Sequence, residues 1–197
     1  MTALAISNIV LWVAVLALLL IVLALVRQLG VLHERIAPAG ALMLNRGLNV
    51  GERVPMMDVE DLEGHARRIG APRTDGKSTL LVFVSPTCPV CKSLLPIVKS
   101  GRKDEQDWLE VILASDGDRD EHRQFAREQD LLGLPYVVSA PLGMTYQVSR
   151  LPFAALVDAG GTLRARGLVN SREHLESLFE AQRLGVASLQ EYFASHA

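Results

Sequence analysis

Thr79-Leu-Leu-Val-Phe-Val84, followed by Ser85-Pro-Thr-Cys-Pro-Val-Cys-Lys92, is the stretch from which the rest of this chain is read. Six consecutive apolar or β-branched residues are the pattern of a strand buried on both faces of a sheet. Pro86 and Thr87 break the run, and a helical stretch follows through Lys99, interrupted by Pro96. Cys88 and Cys91 therefore fall where a buried strand gives way to a helix. They are the only two cysteines in 197 residues, and chance would space two cysteines this way roughly one time in a hundred.

That placement has a chemical logic. A cysteine at or near a helix N-cap meets free N–H groups and the positive end of the helix dipole, which favour its thiolate and make it reactive near neutral pH. Cys91, one turn further in, is sheltered yet close enough to pair with Cys88. Attack by Cys88 on a substrate disulfide, a mixed disulfide, and resolution by Cys91 complete a cycle that also runs backwards. A static bridge is a lesser alternative, because so short a loop stabilises little. A metal half-site is another, but it needs two further ligands. His33, His65, His122, His174 and His196 are scattered without a matching spacing. The expectation is a redox-active disulfide, with no metal and no other cofactor.

Beyond the cysteines the elements alternate. Leu109-Glu-Val-Ile-Leu-Ala114 reads as a second central strand, and residues 119–129 as a charged helix with Phe125 and Leu131 turned inward. Leu151-Pro-Phe-Ala-Ala-Leu-Val-Asp158 is a third strand, opened by Pro152, where a cis X-Pro bond would present backbone close to a site. Gly160-Gly161 forms a tight turn into Thr162-Leu-Arg-Ala-Arg-Gly167, which alternates like an antiparallel edge strand. Ser171 is placed to cap a last helix, with His174 as a weak reciprocal partner. The order β-α-β-α-β-β-α implies an α/β fold, a small mixed sheet flanked by helices on both faces.

The N-terminus is different in kind. Ala3 to Val26 holds no charged residue, with Ser7 and Asn8 its only polar interruptions. A helix of that length is about 36 Å long, enough to span a bilayer core with some tilt. A cleaved signal peptide would carry a basic start and a nearby small-residue cleavage site, and neither is present. A buried core helix of this length without a polar face does not suit so small a chain. Residues 1–26 are thus read as a single retained transmembrane anchor, meeting the lipid bilayer through residues 3–26. Residues 27–50, broken by Pro38, Gly40 and Gly47, form a juxtamembrane linker. Residues 51–182 are the globular domain, and 183–197 a helical tail with Leu189, Tyr192 and Phe193 on its apolar side. Arg27, Arg35 and Arg46 follow the span while no basic residue precedes it, which by the positive-inside rule favours a cytoplasmic domain. A formal net charge of -2 and a sequence pI near 6.2 give no electrostatic reason to expect nucleic acid as a partner.

From about Gly51 to Gln182 the chain resembles the thioredoxin-like family. The resemblance rests on the strand Leu80 to Val84, on Cys88-Pro-Val-Cys91, on Pro96, and on Leu151-Pro152, which matches the family's cis-proline dipeptide. It implies a thioredoxin-like fold behind a single N-terminal transmembrane helix, catalytic roles for Cys88 and Cys91, and substrate binding at Leu151 and Pro152. Thr87, Pro89, Val90 and Pro96 would surround that site. Gly51-Glu-Arg-Val-Pro55 followed by Asp61-Leu-Glu-Gly64 resembles the N-terminal hairpin of the membrane-anchored and peroxiredoxin-like branches.

More narrowly, the N-terminal span, Gly51 to Pro55 and Ser85 to Lys92 together are similar to the MauD family of methylamine utilization proteins. That similarity implies a thiol–disulfide oxidoreductase that forms or isomerises disulfides during processing, transport or maturation of the methylamine dehydrogenase small (β) subunit. That subunit is a periplasmic, disulfide-rich polypeptide carrying a tryptophan-derived quinone. The domain would then face the bacterial periplasm from the inner membrane, with a membrane redox partner recycling the dithiol. A reductase for cytochrome c maturation and a redox-silent maturation chaperone are the alternatives. Several family positions differ here. Thr87 stands where thioredoxins place Trp, and Val82 where they bury an Asp. Leu94 replaces the Glu of cytochrome-maturation reductases, and Pro89 comes first between the cysteines, as in glutaredoxins. The peroxiredoxin pattern Pro-x-x-x-Thr-x-x-Cys is absent.

Overall fold

The computed structural model describes residues 2–34 and 48–184. The chain divides into two compact units, Met1–Asn45 and Arg46–Ala197. The described part of the first is one helix, α1 (Thr2–Glu34), about 50 Å long at 1.5 Å per residue. It continues past Val26, so residues 27–34 are helical where a linker was expected; they hold good helix formers, and the first proline comes only at Pro38. Side chains are described from Ile6 to Val22, and every large apolar one among them is exposed. Over the described residues no helix is long and apolar enough to cross a membrane. The expected linker from 35 to 47 and the expected tail beyond Leu184 lie outside the described residues.

The second unit opens with a hairpin of β1 (Met57–Glu60) and β2 (Ala66–Ile69). Then follow β3 (Ser78–Phe83), α2 (Pro89–Asp104), β4 (Leu109–Ser115), α3 (Arg119–Glu128), β5 (Tyr136–Val138), α4 (Ala140–Thr145), β6 (Phe153–Val157), β7 (Leu163–Leu168) and α5 (Arg172–Leu184). The main sheet has the order β5-β4-β3-β6-β7. Strands β3, β4 and β5 run parallel, and β6 and β7 antiparallel to their neighbours. This is the mixed sheet expected.

All six residues of β3 are buried because alternate side chains feed two cores. Leu80 and Val82 join Leu94, Phe125 and Phe179 from α2, α3 and α5. Leu81 and Phe83 pack with Leu142 and Tyr146 on the other face. A strand so enclosed shows no polar alternation, which is why its sequence reads as a continuous apolar run. Ser171 accepts a bond from the His174 amide at 3.4 Å, capping α5 as expected.

Two elements and one boundary differ from expectation. β5 has three residues and α4 six, both too short to show a period. The signal for α4 was Ser139, whose hydroxyl accepts from the Leu142 amide at 3.3 Å, followed by Pro141 in the first turn. Strand β6 starts at Phe153 rather than Leu151, because Pro152 has no N–H to give to the ladder.

The segment around Asp61 is anchored by its carboxylate. Asp61 is 2% exposed and accepts from the amides of Glu63 and His65 and from Arg67 Nε, at 3.0, 2.9 and 3.2 Å. Burial alone would raise its pKa, but these bonds outweigh it and hold the carboxyl below its ordinary value. The same segment closes the β5 edge of the sheet: the Leu62 amide donates to the Tyr136 carbonyl at 2.8 Å, and Asp61 bridges Val137.

The Gly160-Gly161 turn lies between β6 and β7 as expected. Gly161 has φ +84, and a Cβ there would overlap the Gly70 carbonyl oxygen. Gly161→Ala is therefore expected to cost about 2 kcal/mol or more of stability, read as a lower urea midpoint at unchanged m. Gly160→Ala, whose Cβ meets only the Asp158 carboxylate at 3.3 Å, should cost less than about 1 kcal/mol. Equal losses in the two variants would refute this account of the turn.

Candidate active site

The backbone leading to the cysteines is fixed before it leaves the sheet. The Val84 amide donates to the Ala114 carbonyl at 3.0 Å, and the Ser115 hydroxyl donates to the Val84 carbonyl at 2.7 Å. The loop then turns on itself, with the Cys88 amide donating to the Ser85 carbonyl at 3.1 Å. Cys88 is the N-cap of α2, with extended backbone and its sulfur accepting from the Cys91 amide at 3.2 Å. Pro89 follows as the first helical residue, where a missing N–H costs nothing.

Cys88 and Cys91 are joined in a disulfide with Cα atoms 5.2 Å apart. Their exposures differ sharply. Cys88 is half-buried, while Cys91 is 0% exposed within the core that also holds Val82, Leu94 and Phe125. An incoming group can therefore reach only the Cys88 sulfur. Thr87, Pro89 and Val90 are exposed around it.

Leu151 and Pro152 come to the same end of the sheet. Phe153 pairs with Phe83, so the residues just before β6 lie beside those just after β3. The Leu151–Pro152 bond is cis, with Pro152 buried and Leu151 exposed. Leu151 borders a cleft of about 300 Å³ whose lining includes Val84, Ser115, Asp116, Met144 and Arg150. Pro96 is not brought to this site. It sits mid-way along α2, which continues through it, and it is exposed.

Sequence reasoning missed what supports the site from behind. His122 on α3 is 2% exposed. Its Nε2 donates to the Asp116 carbonyl at 2.8 Å, which leaves Nδ1 to accept from the Tyr136 hydroxyl at 2.7 Å. Burial holds that hydroxyl well above its ordinary pKa range. These residues pin the loop after β4, the floor of the cleft. No periodic signal marks a lone histidine among the charges of α3. Among the described residues no group of three or more His, Cys, Asp or Glu side chains is placed to hold a metal ion.

Chemically, the arrangement is that of a thiol–disulfide oxidoreductase. One sulfur is accessible at a helix N-terminus, a position that favours a thiolate once the disulfide opens, and its partner is enclosed below it.

No family model matches the chain. It is 47% identical over 189 residues to the methylamine utilization protein MauD of Paracoccus denitrificans, covering 96% of this chain and 94% of that one. It is 48% identical over 186 residues to the MauD of Methylophilus methylotrophus, covering 94% and 87% respectively. Among solved structures it is similar to the exposed lipoprotein thioredoxin Etrx1 of Streptococcus pneumoniae, with a TM-score of 0.56 at 22% identity over 64% of this chain and 99% of that one. The fold is thioredoxin-like.

Proposed function

The chain belongs to the MauD family of methylamine utilization proteins, and from that membership we propose that it forms or isomerises disulfides in the small (β) subunit of methylamine dehydrogenase. The observation that carries the reading is the Cys88–Cys91 pair, with Cys88 accessible at the cap of α2 and Cys91 enclosed. In the oxidising direction a client thiolate attacks the Cys88 sulfur, the Cys88–Cys91 bond breaks, and Cys91 leaves with the electron pair. A second client thiolate then attacks its own mixed disulfide and releases Cys88, leaving the client bridged and the pair reduced. A membrane redox partner returns the pair to the disulfide.

The first unit is the anchor in this reading. Its support is the uncharged run from Ala3 to Val26 and the apolar side chains that α1 exposes from Ile6 to Val22, surface that is costly to leave in water. The domain faces the periplasm, where disulfides persist. A C-terminal alkaline phosphatase fusion is expected to be active, and an inactive one would overturn that side assignment.

The function itself is tested in a Cys88→Ser strain. The β subunit should be absent or misbridged while its transcript persists; a β subunit with its normal disulfides would sink the proposal.

A further inference from the structure

Strands β3 and β4 run parallel, and the cysteines follow the C-terminal end of β3. At the opposite end of the sheet, where β4 begins, lies a cleft of about 610 Å³. Its lining includes Arg67, Arg73, Lys77, Lys99, Arg102 and Lys103. Only two carboxylates stand among them. Glu110 is held by both Arg67 and Arg73, and Asp75 by Arg73. Lys77 turns its ammonium onto the Gln106 carbonyl at 2.6 Å. Lys99 meets the carbonyls of Gln129 and Asp130 and the exposed Asp130 carboxylate. Arg102 and Lys103 are exposed and have no carboxylate partner among the described residues. Six cations thus face two carboxylates in a chain whose formal net charge is -2. Arg102 and Lys103 lie in the last turn of α2, where cations complement the helix dipole. That accounts for two of the six.

We propose that this cleft is a docking surface for anionic phospholipid headgroups. The proposal rests on the reading of α1 as a membrane anchor. Residues 35–47 separate that helix from the first described residue of the second unit, and thirteen residues reach at most about 45 Å. The bilayer and the domain are then joined by those thirteen residues and the helical residues 27–34. Clustered Lys and Arg are drawn to anionic lipid only within about a Debye length. So short a tether makes lipid the anion that the cleft meets at the highest effective concentration. With the basic end against the lipid, the opposite end of the sheet presents Cys88 to clients in solution.

The chain's four lysines provide an internal control, for Lys77, Lys99 and Lys103 line the cleft while Lys92 follows Cys91 at the other end of α2. Full-length protein is placed in nanodiscs of phosphatidylcholine alone or with about one third phosphatidylglycerol. It is then trace-acetylated with acetic anhydride, and labelling at each lysine is read by mass spectrometry. The three cleft lysines are expected to label roughly three- to fivefold more slowly in the anionic discs, with Lys92 unchanged and the difference gone at about 0.5 M salt. An Arg102→Glu, Lys103→Glu variant should lose the protection of Lys77 and Lys99. Equal labelling in the two discs overturns the proposal, as does protection of Lys92 instead. Protection by soluble polyglutamate but not by anionic lipid also overturns it, and assigns the cleft to an acidic protein. A chain that does not stay with neutral discs at high salt counts against the anchor alone. The cleft is then decided by the same labelling of the free chain with anionic or neutral vesicles added.

Discussion

A Cys91→Ser variant is expected to accumulate mixed disulfides with its client on the order of a hundredfold above wild type, while Cys88→Ser accumulates none and loses exchange activity by about a thousandfold or more. The asymmetry follows from exposure. Cys88 caps α2 at the surface, whereas Cys91 is 0% exposed beneath it. Without Cys91, a client disulfide opened by the Cys88 thiolate stays bonded to Cys88 until a client thiol displaces it, since the chain has no other cysteine to resolve the bond. Without Cys88, the buried sulfur meets nothing. Non-reducing gels of affinity-tagged variants read this directly, as bands that collapse on adding a thiol. Trapping by both variants to similar extents would show that the helix does not restrict access as described.

The second large effect concerns how the mixed disulfide resolves. Cys91 must lose its proton before it can displace the client thiol, because the thiolate is the nucleophile. Thioredoxins bury an Asp at the position that Val82 occupies here. Val82 is itself fully buried in the same core as Cys91. Asp61 is the only buried carboxylate among the described residues, and it is committed to the turn between β1 and β2. His122 has both ring nitrogens engaged. Among the described residues no internal base is left beside Cys91, so its proton must go to hydroxide or a base from solvent. Resolution of a preformed mixed disulfide should therefore accelerate by up to about tenfold per pH unit between pH 6 and 8. Rapid-quench measurements across that range give the slope, and a flat profile would reveal a base that the structure does not show.

Much of this was legible in the residues. The continuous apolar run of β3 announced a strand buried on both faces, and two cysteines after it placed the site. The proline before β6 and the glycine turn after it were equally plain, since each is a residue type that only a few backbone positions favour. What stayed hidden was short or non-local. β5 and α4 are too brief to carry a period. His122 is meaningful only once α3 lies against β5, so that Tyr136, fourteen positions away, comes within 2.7 Å. Ser115 likewise matters because sheet pairing brings it to Val84. The basic cleft gathers residues from position 67 to 103, and no run of charge in the sequence marks it. The helical course of residues 27–34 was not legible because the linker reading rested on Pro38, Gly40 and Gly47, all of which lie beyond Glu34, where the helix ends.

The closure of the β5 edge by the segment after β1 has a consequence for how clients are met. An open edge strand pairs with any extended chain of suitable length, whatever its sequence, and a protein that handles unfinished polypeptides is surrounded by such chains. Here the Tyr136 carbonyl is already paired with Leu62, and Val137 with Asp61. A client cannot enrol itself as a sixth strand on that side. At the strand ends near Cys88, by contrast, a contact lasts no longer than the sulfur chemistry requires.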